Sequence, residues 1–82
     1  MWFIYVVRCA DKTLYTGVTT DVARRIYEHN TSESLGSKYV RQRRPVTLVY
    51  QEYSDSRSNA QKREAAIKKL SRPEKERLVA GT

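Results

Sequence analysis

Two short apolar segments at the start of the chain constrain its fold more than any other feature. Residues 2–9 and 14–18 are rich in β-branched and aromatic side chains, and the polar residues 10–13 lie between them. Such side chains favour extended strands, and a short polar corner favours a reversal of the chain. The pattern therefore predicts an antiparallel β-hairpin.

The hairpin has one favoured register. We expect a three-residue loop that places Cys9 opposite Thr13. Tyr5 then lies opposite Gly17, and Tyr15 is two positions from Gly17 on the second strand. Because side chains alternate between the faces of a strand, both phenols lie on one face as diagonal neighbours. The absence of a side chain at Gly17 leaves room above Tyr5.

The rest of the chain predicts helices around one further strand. The 82 residues suffice for a single domain, residues 1–82, and not for two. We expect an α+β fold, a three-stranded antiparallel sheet flanked by helices, in the order β-β-α-β-α-α. After the hairpin the predicted elements are a helix from Thr20 or Asp21 to about Asn30, a short helix within 39–44, a strand over 46–53, a helix from the cap residues 54–58 to about Leu70, and a last helix from the capping box 71–74 through Val79.

The first predicted helix carries two polar residues on its apolar side. At about 100° per residue, Arg25 and His29 share a face with Val22 and Ile26. The guanidinium and the imidazole are therefore expected one turn apart, beside the apolar stripe that packs on the sheet.

The charge of the chain favours a polyanionic partner. Sixteen Lys and Arg residues against nine Asp and Glu give a net charge of +7, which favours nucleic acid over a membrane. Solubility is the alternative explanation. A second basic set on the C-terminal helices is at least as readily explained as a solvated helical face. Between Glu33 and Glu52 there is no acidic residue, and the candidate phosphate-binding patch there consists of Lys38, Arg41, Arg43 and Arg44.

The single cysteine and the N-terminal sequence indicate a cytoplasmic location. Cys9 lies in an apolar run and cannot form an intramolecular disulfide, so we expect a buried thiol in a reducing compartment. The apolar run over residues 2–7 has no positive residue before it and no cleavage-like site. It is therefore expected to be neither a signal peptide nor a membrane span.

Each polar candidate also has a purely structural interpretation. Tyr5 and Tyr15 fit ordinary strand packing with the hydroxyl at the rim. Arg25 fits a surface ion pair with Glu28 or Asp21, a weak and common contact.

The same holds for the two remaining candidates. His29 fits an imidazolium that complements the negative end of its helix, and Glu64 fits an ion pair with Lys68 at i+4. What favours chemistry is that all the candidates can converge on one side of the sheet in a strongly basic chain. Hydrolysis of a phosphodiester needs an activated water and stabilisation of charge on the phosphate oxygens, which these side chains are suited to provide.

At these residues the sequence resembles the GIY-YIG nuclease superfamily, whose name records two strand motifs about ten residues apart. Here the motifs read Phe-Ile-Tyr at residues 3–5 and Tyr-Thr-Gly at residues 15–17. In that family an arginine follows the second tyrosine by ten positions and a histidine or tyrosine by fourteen, which gives Arg25 and His29. A metal-binding glutamate on the helix after the third strand matches Glu64. The sequence looks most like the small stand-alone bacterial members.

The resemblance implies one-metal hydrolysis. Tyr5 would act as the general base or help to form it, and Tyr15 would orient water and phosphate. His29 would assist the base or a proton relay, and Arg25 would hold the scissile phosphate. Glu64 would bind Mg²⁺ or Mn²⁺.

The sequence departs from the family pattern in places. Phe3 replaces the first glycine and Thr16 the central isoleucine, and neither position carries the reaction. Many members place an asparagine in the site after the glutamate, whereas here Lys75 and Glu76 stand near that distance and no asparagine follows Asn59. This departure predicts activity that is weak or that depends on a partner protein.

Three functions are consistent with the sequence. The leading hypothesis is a divalent-metal-dependent endonuclease that acts on structured or damaged DNA in repair or recombination. The second is a nucleic-acid-binding module of the same fold without catalysis. The third is an accessory that docks on another protein through exposed tyrosines, which the strong basic excess disfavours.

Overall fold

In a computed structural model of the chain, residues 1–81 form three strands and four helices. The three strands make one antiparallel sheet and the helices flank it, so the predicted α+β fold is confirmed. No helix in this range is long and apolar enough to cross a membrane. The elements are β1 (Trp2–Arg8), β2 (Leu14–Thr19), α1 (Val22–Thr31), α2 (Lys38–Arg41), β3 (Thr47–Ser54), α3 (Arg57–Lys68) and α4 (Arg72–Ala80).

The first strand lies at the centre of the sheet. The strand order is β2-β1-β3, so β2 and β3 are the edge strands. In the hairpin Tyr5 pairs with Gly17 and Val7 pairs with Tyr15, which confirms the predicted register. The two phenols therefore start from the same face of the sheet.

Because its side chains alternate between the two faces, β1 contributes to two cores. One core lies under α1 and α2, and the other lies under α3 and α4. Burying one aliphatic side chain contributes about 1.5–3 kcal/mol, so this strand carries much of the stability of the fold. The buried members of the first core are Tyr5, Val7, Cys9, Val40 and Val46, and those of the second are Ile4, Val6, Ala60 and Ile67.

The N-terminal cap of α1 sets which of its residues face the sheet. The Asp21 carboxylate accepts a hydrogen bond from the Arg24 backbone N–H at 3.0 Å, so the helix begins at Val22. Val22 and Ile26 pack against the first core, and His29 is fully buried one turn further on. The predicted apolar face of this helix is confirmed.

The helices on the other face also begin at polar caps. Ser56 accepts a hydrogen bond from the Asn59 backbone N–H at 3.1 Å and starts α3. Ser71 and Glu74 form the predicted capping box at the start of α4. With this start, α3 buries Ala60 and Ile67 against the sheet, and an adjacent face of the helix stays exposed.

Candidate active site

A cleft of about 270 Å³ lies beside the edge strand β2. It is bounded by α1, which packs on one face of the sheet, and by α3, which packs on the other. Four of the five predicted catalytic side chains line the cleft, and the fifth, His29, is buried behind Tyr5. The lining residues are Trp2, Tyr5, Tyr15, Gly17, Val18, Arg25, Arg57, Gln61 and Glu64.

Gly17 is required because the ring of Tyr5 crosses it to reach the cleft. A Cβ atom built on Gly17 would lie 2.5 Å from Cζ and 2.9 Å from Cε1 of Tyr5, and closer still to its Oη. Such distances are well inside van der Waals contact, so any side chain here would displace the phenol. The space that the missing side chain of Gly17 leaves, which the sequence predicted, is thus occupied by the ring of Tyr5.

His29 holds the hydroxyl group of Tyr5 from behind. Its Nε2 lies 2.7 Å from Tyr5 Oη, and its Nδ1 accepts a contact of 3.4 Å from the backbone N–H of Ser37. A neutral imidazole has one N–H and one acceptor nitrogen, so the Ser37 contact assigns the hydrogen to Nε2. His29 therefore donates to Tyr5 Oη, and the phenol keeps its own hydrogen for another partner.

The buried position of His29 also decides its charge. Burial, with a further contribution from the Arg25 charge, lowers the pKa of His29 from 6.5 to about 4. The ring is therefore neutral at pH 7. The alternative from the sequence, an imidazolium that complements the end of α1, is wrong, because a fully buried neutral ring carries no charge to interact with the helix dipole.

Burial has the opposite effect on the acidity of Tyr5. It raises the pKa of Tyr5 to about 12, and the nearby Arg25 guanidinium offsets this rise only in part. The Glu64 carboxylate adds to the rise, since its negative charge would repel a phenolate. The side chain is thus a phenol at neutral pH in the free protein.

Arg25 lies at the boundary between the cleft and α1. Its Nη1 contacts a Glu28 carboxylate oxygen at 3.2 Å and donates to the Leu35 carbonyl oxygen. The ion pair with Glu28 is one that the sequence predicted. Both contacts use one nitrogen of a planar group with five N–H donors, so the guanidinium is fixed in place and retains donors for an anion.

Glu64 is the acidic residue of the cleft. Its half-buried carboxylate lies 3.3 Å from Lys68 Nζ, so it forms the predicted i+4 ion pair while it lines the cleft. Within residues 1–81 no three His, Cys, Asp or Glu side chains form a cluster that could hold a metal ion. A hard divalent cation, however, needs only one or two carboxylates when water and substrate phosphate supply the other ligands. Glu64, with the amide oxygen of Gln61 on the same wall, fits such a cation.

Comparison with known proteins assigns this arrangement to a family. The GIY-YIG catalytic domain matches residues 1–77, which include every residue of the cleft. The chain belongs to the GIY-YIG family. The resemblance seen in the two tyrosine motifs is therefore confirmed. GIY-YIG domains form a nuclease superfamily, take nucleic acid as substrate and generally use divalent metal ions.

Similar proteins occur in bacteria and archaea. A UPF0213 protein of Desulfotalea psychrophila is 60% identical over 78 residues, which cover 95% of this chain and 70% of that protein. A UPF0213 protein of Natronomonas pharaonis is 58% identical, with 95% and 89% covered. The solution structure of a UPF0213 protein from Bacillus halodurans has a TM-score of 0.61 at 42% identity, and covers 98% of this chain and 84% of its own.

The GIY-YIG cleft also contains residues that the sequence reading missed. Arg57 and Gln61 precede Glu64 by seven and three positions, so all three share one face of α3, and this spacing was a readable signal. Trp2 reaches the same wall from β1. Glu76, near the expected position of the family asparagine, instead pairs with Arg8 at 2.7 Å. The amide of the cleft comes from Gln61.

The basic stretch of the GIY-YIG domain is the candidate phosphate-binding patch, Lys38, Arg41, Arg43 and Arg44. It lies outside the cleft, and its arginines donate hydrogen bonds to backbone carbonyl groups of the protein. Arg44 donates to the carbonyl oxygens of His29 and Ser32, and Arg41 donates to that of Glu33. Arg44 thereby ties the end of α1 to the loop that follows it. Binding of nucleic acid by this stretch stays a prediction, and the exposed Lys38 is its least constrained cation.

One arginine of the stretch is connected to the cleft through a stack of side chains. The Arg43 guanidinium lies 3.8 Å from the centroid of the Tyr39 ring. The Tyr39 ring in turn stacks on Tyr15 with centroids 5.8 Å apart and an interplanar angle of 23°. Tyr15 also meets His29, with centroids 5.5 Å apart and an interplanar angle of 75°. Tyr15 thus packs against two rings, and its side chain lines the cleft.

Proposed function

We propose that this protein is a divalent-metal-dependent endonuclease that hydrolyses phosphodiester bonds in DNA, including structured or damaged DNA in repair or recombination. The observation that carries the proposal is the single cleft that contains Tyr5, Tyr15, Arg25 and Glu64 with a neutral His29 behind Tyr5. Membership of the GIY-YIG family supplies the reaction class, and the net charge of +7 suits a polyanionic substrate.

Arg25 and Tyr15 are the groups suited to the scissile phosphate. A guanidinium fixed by Glu28 and Leu35 presents charged donors to phosphate oxygens without reorganisation during the reaction. The Tyr15 hydroxyl, whose ring packs against Tyr39 and His29, adds a further donor. Together they would hold a phosphate beside Tyr5, which lines the same cleft.

Tyr5 is the group suited to activate water. Its hydrogen bond from His29 Nε2–H turns the phenol's own hydrogen away from the imidazole. The Tyr5 oxygen thus receives one hydrogen bond from behind, and its own proton must leave to solvent through the cleft before the phenolate can take a proton from the attacking water. As negative charge develops on this oxygen, the hydrogen bond from His29 becomes stronger, and so does the electrostatic attraction to the Arg25 guanidinium. His29 acts here as a positioning donor.

The activation has a cost that other groups must offset. A pKa of about 12 means that forming the phenolate at pH 7 costs about 7 kcal/mol. A divalent cation held by Glu64 would supply positive charge to the phosphate oxygens and to the leaving oxygen. Glu64 lies across the cleft from Arg25 on a different helix. The cation and the Arg25 guanidinium would therefore approach the phosphate from different sides.

A specific observation favours a second candidate function. Glu64 already forms an ion pair with Lys68, and the raised pKa of Tyr5 leaves little phenolate to act as a base at neutral pH. Both features would suit a GIY-YIG domain that binds nucleic acid and cleaves it weakly or not at all.

Two matched pairs of variants test the proposal. The purified protein is incubated with Mg²⁺ or Mn²⁺ and with plasmid, branched and single-stranded DNA. Tyr5→Phe and Glu64→Gln are expected to lose at least about 100-fold in rate, the usual effect of removing a positioned base or a metal ligand. The matched controls are Tyr53→Phe, an exposed tyrosine outside the cleft, and Glu33→Gln, an exposed acid outside the cleft.

The outcomes separate the two candidates. Cleavage that is lost in the two cleft variants and kept in both controls supports the endonuclease. Equal cleavage by wild type and Glu64→Gln would mean a contaminating nuclease and would overturn the assignment. Binding to DNA without cleavage under any metal would favour the binding module.

A further inference from the structure

The cleft extends along α3 well beyond Glu64. Arg57, Gln61 and Glu64 are separated by four and three residues, so their side chains are neighbours on one face of the helix, and all three line the cleft. Arg57 is the first residue of α3 and lies at the far end of this wall. A seven-residue step corresponds to about 10 Å of helix. The wall is therefore longer than one phosphate group requires.

Arg57 is a cation that the fold itself does not use. Within residues 1–81 it forms no salt bridge and no side-chain hydrogen bond, in contrast to Arg25 in the same cleft. Its guanidinium instead lies 5.7 Å from the centroid of the Trp2 ring. A positive charge in the first turn of a helix also opposes the helix dipole, so Arg57 does not favour α3.

The Trp2 ring gives this free cation a defined position. A guanidinium over an aromatic face keeps its N–H donors at the edge of the stack, where they stay available to an anion. Trp2 is half-buried in β1, so it provides a fixed support. Gln61 lies between Arg57 and Glu64 and offers an uncharged donor and acceptor in the middle of the wall.

We infer that Arg57, supported by Trp2, binds a second phosphate of the same nucleic-acid strand, distinct from the phosphate held by Arg25. The two phosphates are distinct because Arg57 lies seven residues from Glu64, about 10 Å along α3, at the opposite end of the wall. Gln61 contacts the sugar-phosphate segment between the two phosphates. This inference rests on the proposed function, since it assumes that a nucleic-acid strand occupies the cleft.

A phosphate scan tests the inference without cleavage. Binding is measured by fluorescence anisotropy in EDTA, on a Glu64→Gln background, with a short single-stranded DNA in which one phosphate at a time is replaced by a neutral methylphosphonate. The Arg57→Gln variant is compared with Lys62→Gln. Lys62 is an exposed lysine of the same helix that does not line the cleft, so both variants remove one charge from α3.

The expected result is position-specific. Arg57→Gln should weaken binding about tenfold and reduce the salt slope by about one phosphate, with Lys62→Gln within about twofold of the parent. One methylphosphonate position should weaken the parent and have no further effect in Arg57→Gln. In Arg25→Gln a different position should become silent.

Two results would overturn the inference. One is an equal loss of binding affinity in Arg57→Gln and Lys62→Gln, which would mean that Arg57 acts only through the net charge of the protein. The other is a scan in which no position becomes silent in Arg57→Gln. Because the binding assay contains no metal, its outcome is independent of the nuclease assay. Cleavage by the wild type, with no methylphosphonate position that becomes silent in Arg57→Gln, would reject the Arg57 phosphate site alone. A silent position without cleavage would reject the endonuclease alone.

Discussion

The buried histidine predicts a loss of stability in weakly acidic solution. In the folded protein the pKa of His29 is about 4, whereas in the unfolded chain it returns to its ordinary value of 6.5. Between these two values the unfolded state binds a proton that the folded state does not. Protonation therefore favours unfolding, and the stabilisation is complete above pH 6.5 and is lost as the pH falls towards 4.

The size of the effect follows from the two pKa values. A difference of one bound proton changes the free energy of unfolding by about 1.4 kcal/mol per pH unit. Between pH 7 and pH 5 the loss is about 2 kcal/mol, and it reaches about 3 kcal/mol near pH 4. For a domain with a total stability of about 5–15 kcal/mol this is a large fraction. The carboxylates with lowered pKa, Asp11, Glu74 and Glu76, contribute mainly below pH 5, outside this window.

Two measurements check the prediction. His29 is the single histidine of the chain, so its ring resonances in an NMR titration report its pKa without ambiguity. Urea unfolding at pH 7, 6 and 5 gives the free energy of unfolding. The comparison is made within each protein, and in His29→Gln the difference between pH 7 and pH 5 should fall to a few tenths of a kcal/mol.

A histidine pKa near 6.5 in the folded protein would refute the reasoning directly. So would a free energy of unfolding that is the same at pH 7 and pH 5 in the wild-type protein. Either result would mean that His29 is solvated in solution and does not donate to Tyr5 as a neutral ring, and the proposed role of His29 would fail with it.

Three further predictions concern the cleft and the loop that supports it. Gly17→Ala should displace the Tyr5 ring and lower kcat about 100-fold, with a fall in Tm of several degrees; steady-state kinetics and calorimetry measure the two effects. If Tyr5 is the base, log kcat/KM should rise with a slope of about one from pH 6 to pH 9, without a break near 6.5, and this slope should disappear in Tyr5→Phe. Arg44→Lys should lose the paired donation to the His29 and Ser32 carbonyl groups and cost about 1–2 kcal/mol in urea unfolding.

The first prediction has a matched control, and each of the three has an outcome that would contradict it. Val79→Ala removes apolar volume from α4 in the second core, outside the cleft, and separates a general effect on stability from displacement of the phenol. An unchanged kcat in Gly17→Ala would show that the position of the ring does not matter. A break in the rate profile near pH 6.5 would assign the titration to a solvated histidine. Equal stability of Arg44→Lys and the wild type would mean that water replaces the lost donors.

Much of the fold was predictable because its rules are local. The strand composition and the polar corner gave the hairpin, and loop length gave the register that pairs Tyr5 with Gly17. The caps and the helical repeat gave the face of α1 that carries Arg25 and His29. These features depend on residues within a few positions of one another, where hydrogen-bond geometry and side-chain alternation leave few alternatives.

The interpretation of the basic stretch was less complete, because it depended on long-range contacts. From sequence, Arg41 and Arg44 are free cations in a stretch without acids. In the folded protein they donate to carbonyl groups of the turn that ends α1. The cation without such a contact in the cleft is Arg57, in a segment that the charge pattern did not single out.

The sequence by itself determined the sheet, the order of the elements and the positions of the two tyrosines, Arg25, His29 and Glu64. Only the tertiary structure decided that α3 lies against the edge strand β2 from the opposite face, which brings Arg57 and Gln61 into the same cleft as Tyr5. It also decided the protonation states of Tyr5 and His29. The physical reason is that desolvation depends on all the segments packed around a group, and no spacing along the chain specifies that sum.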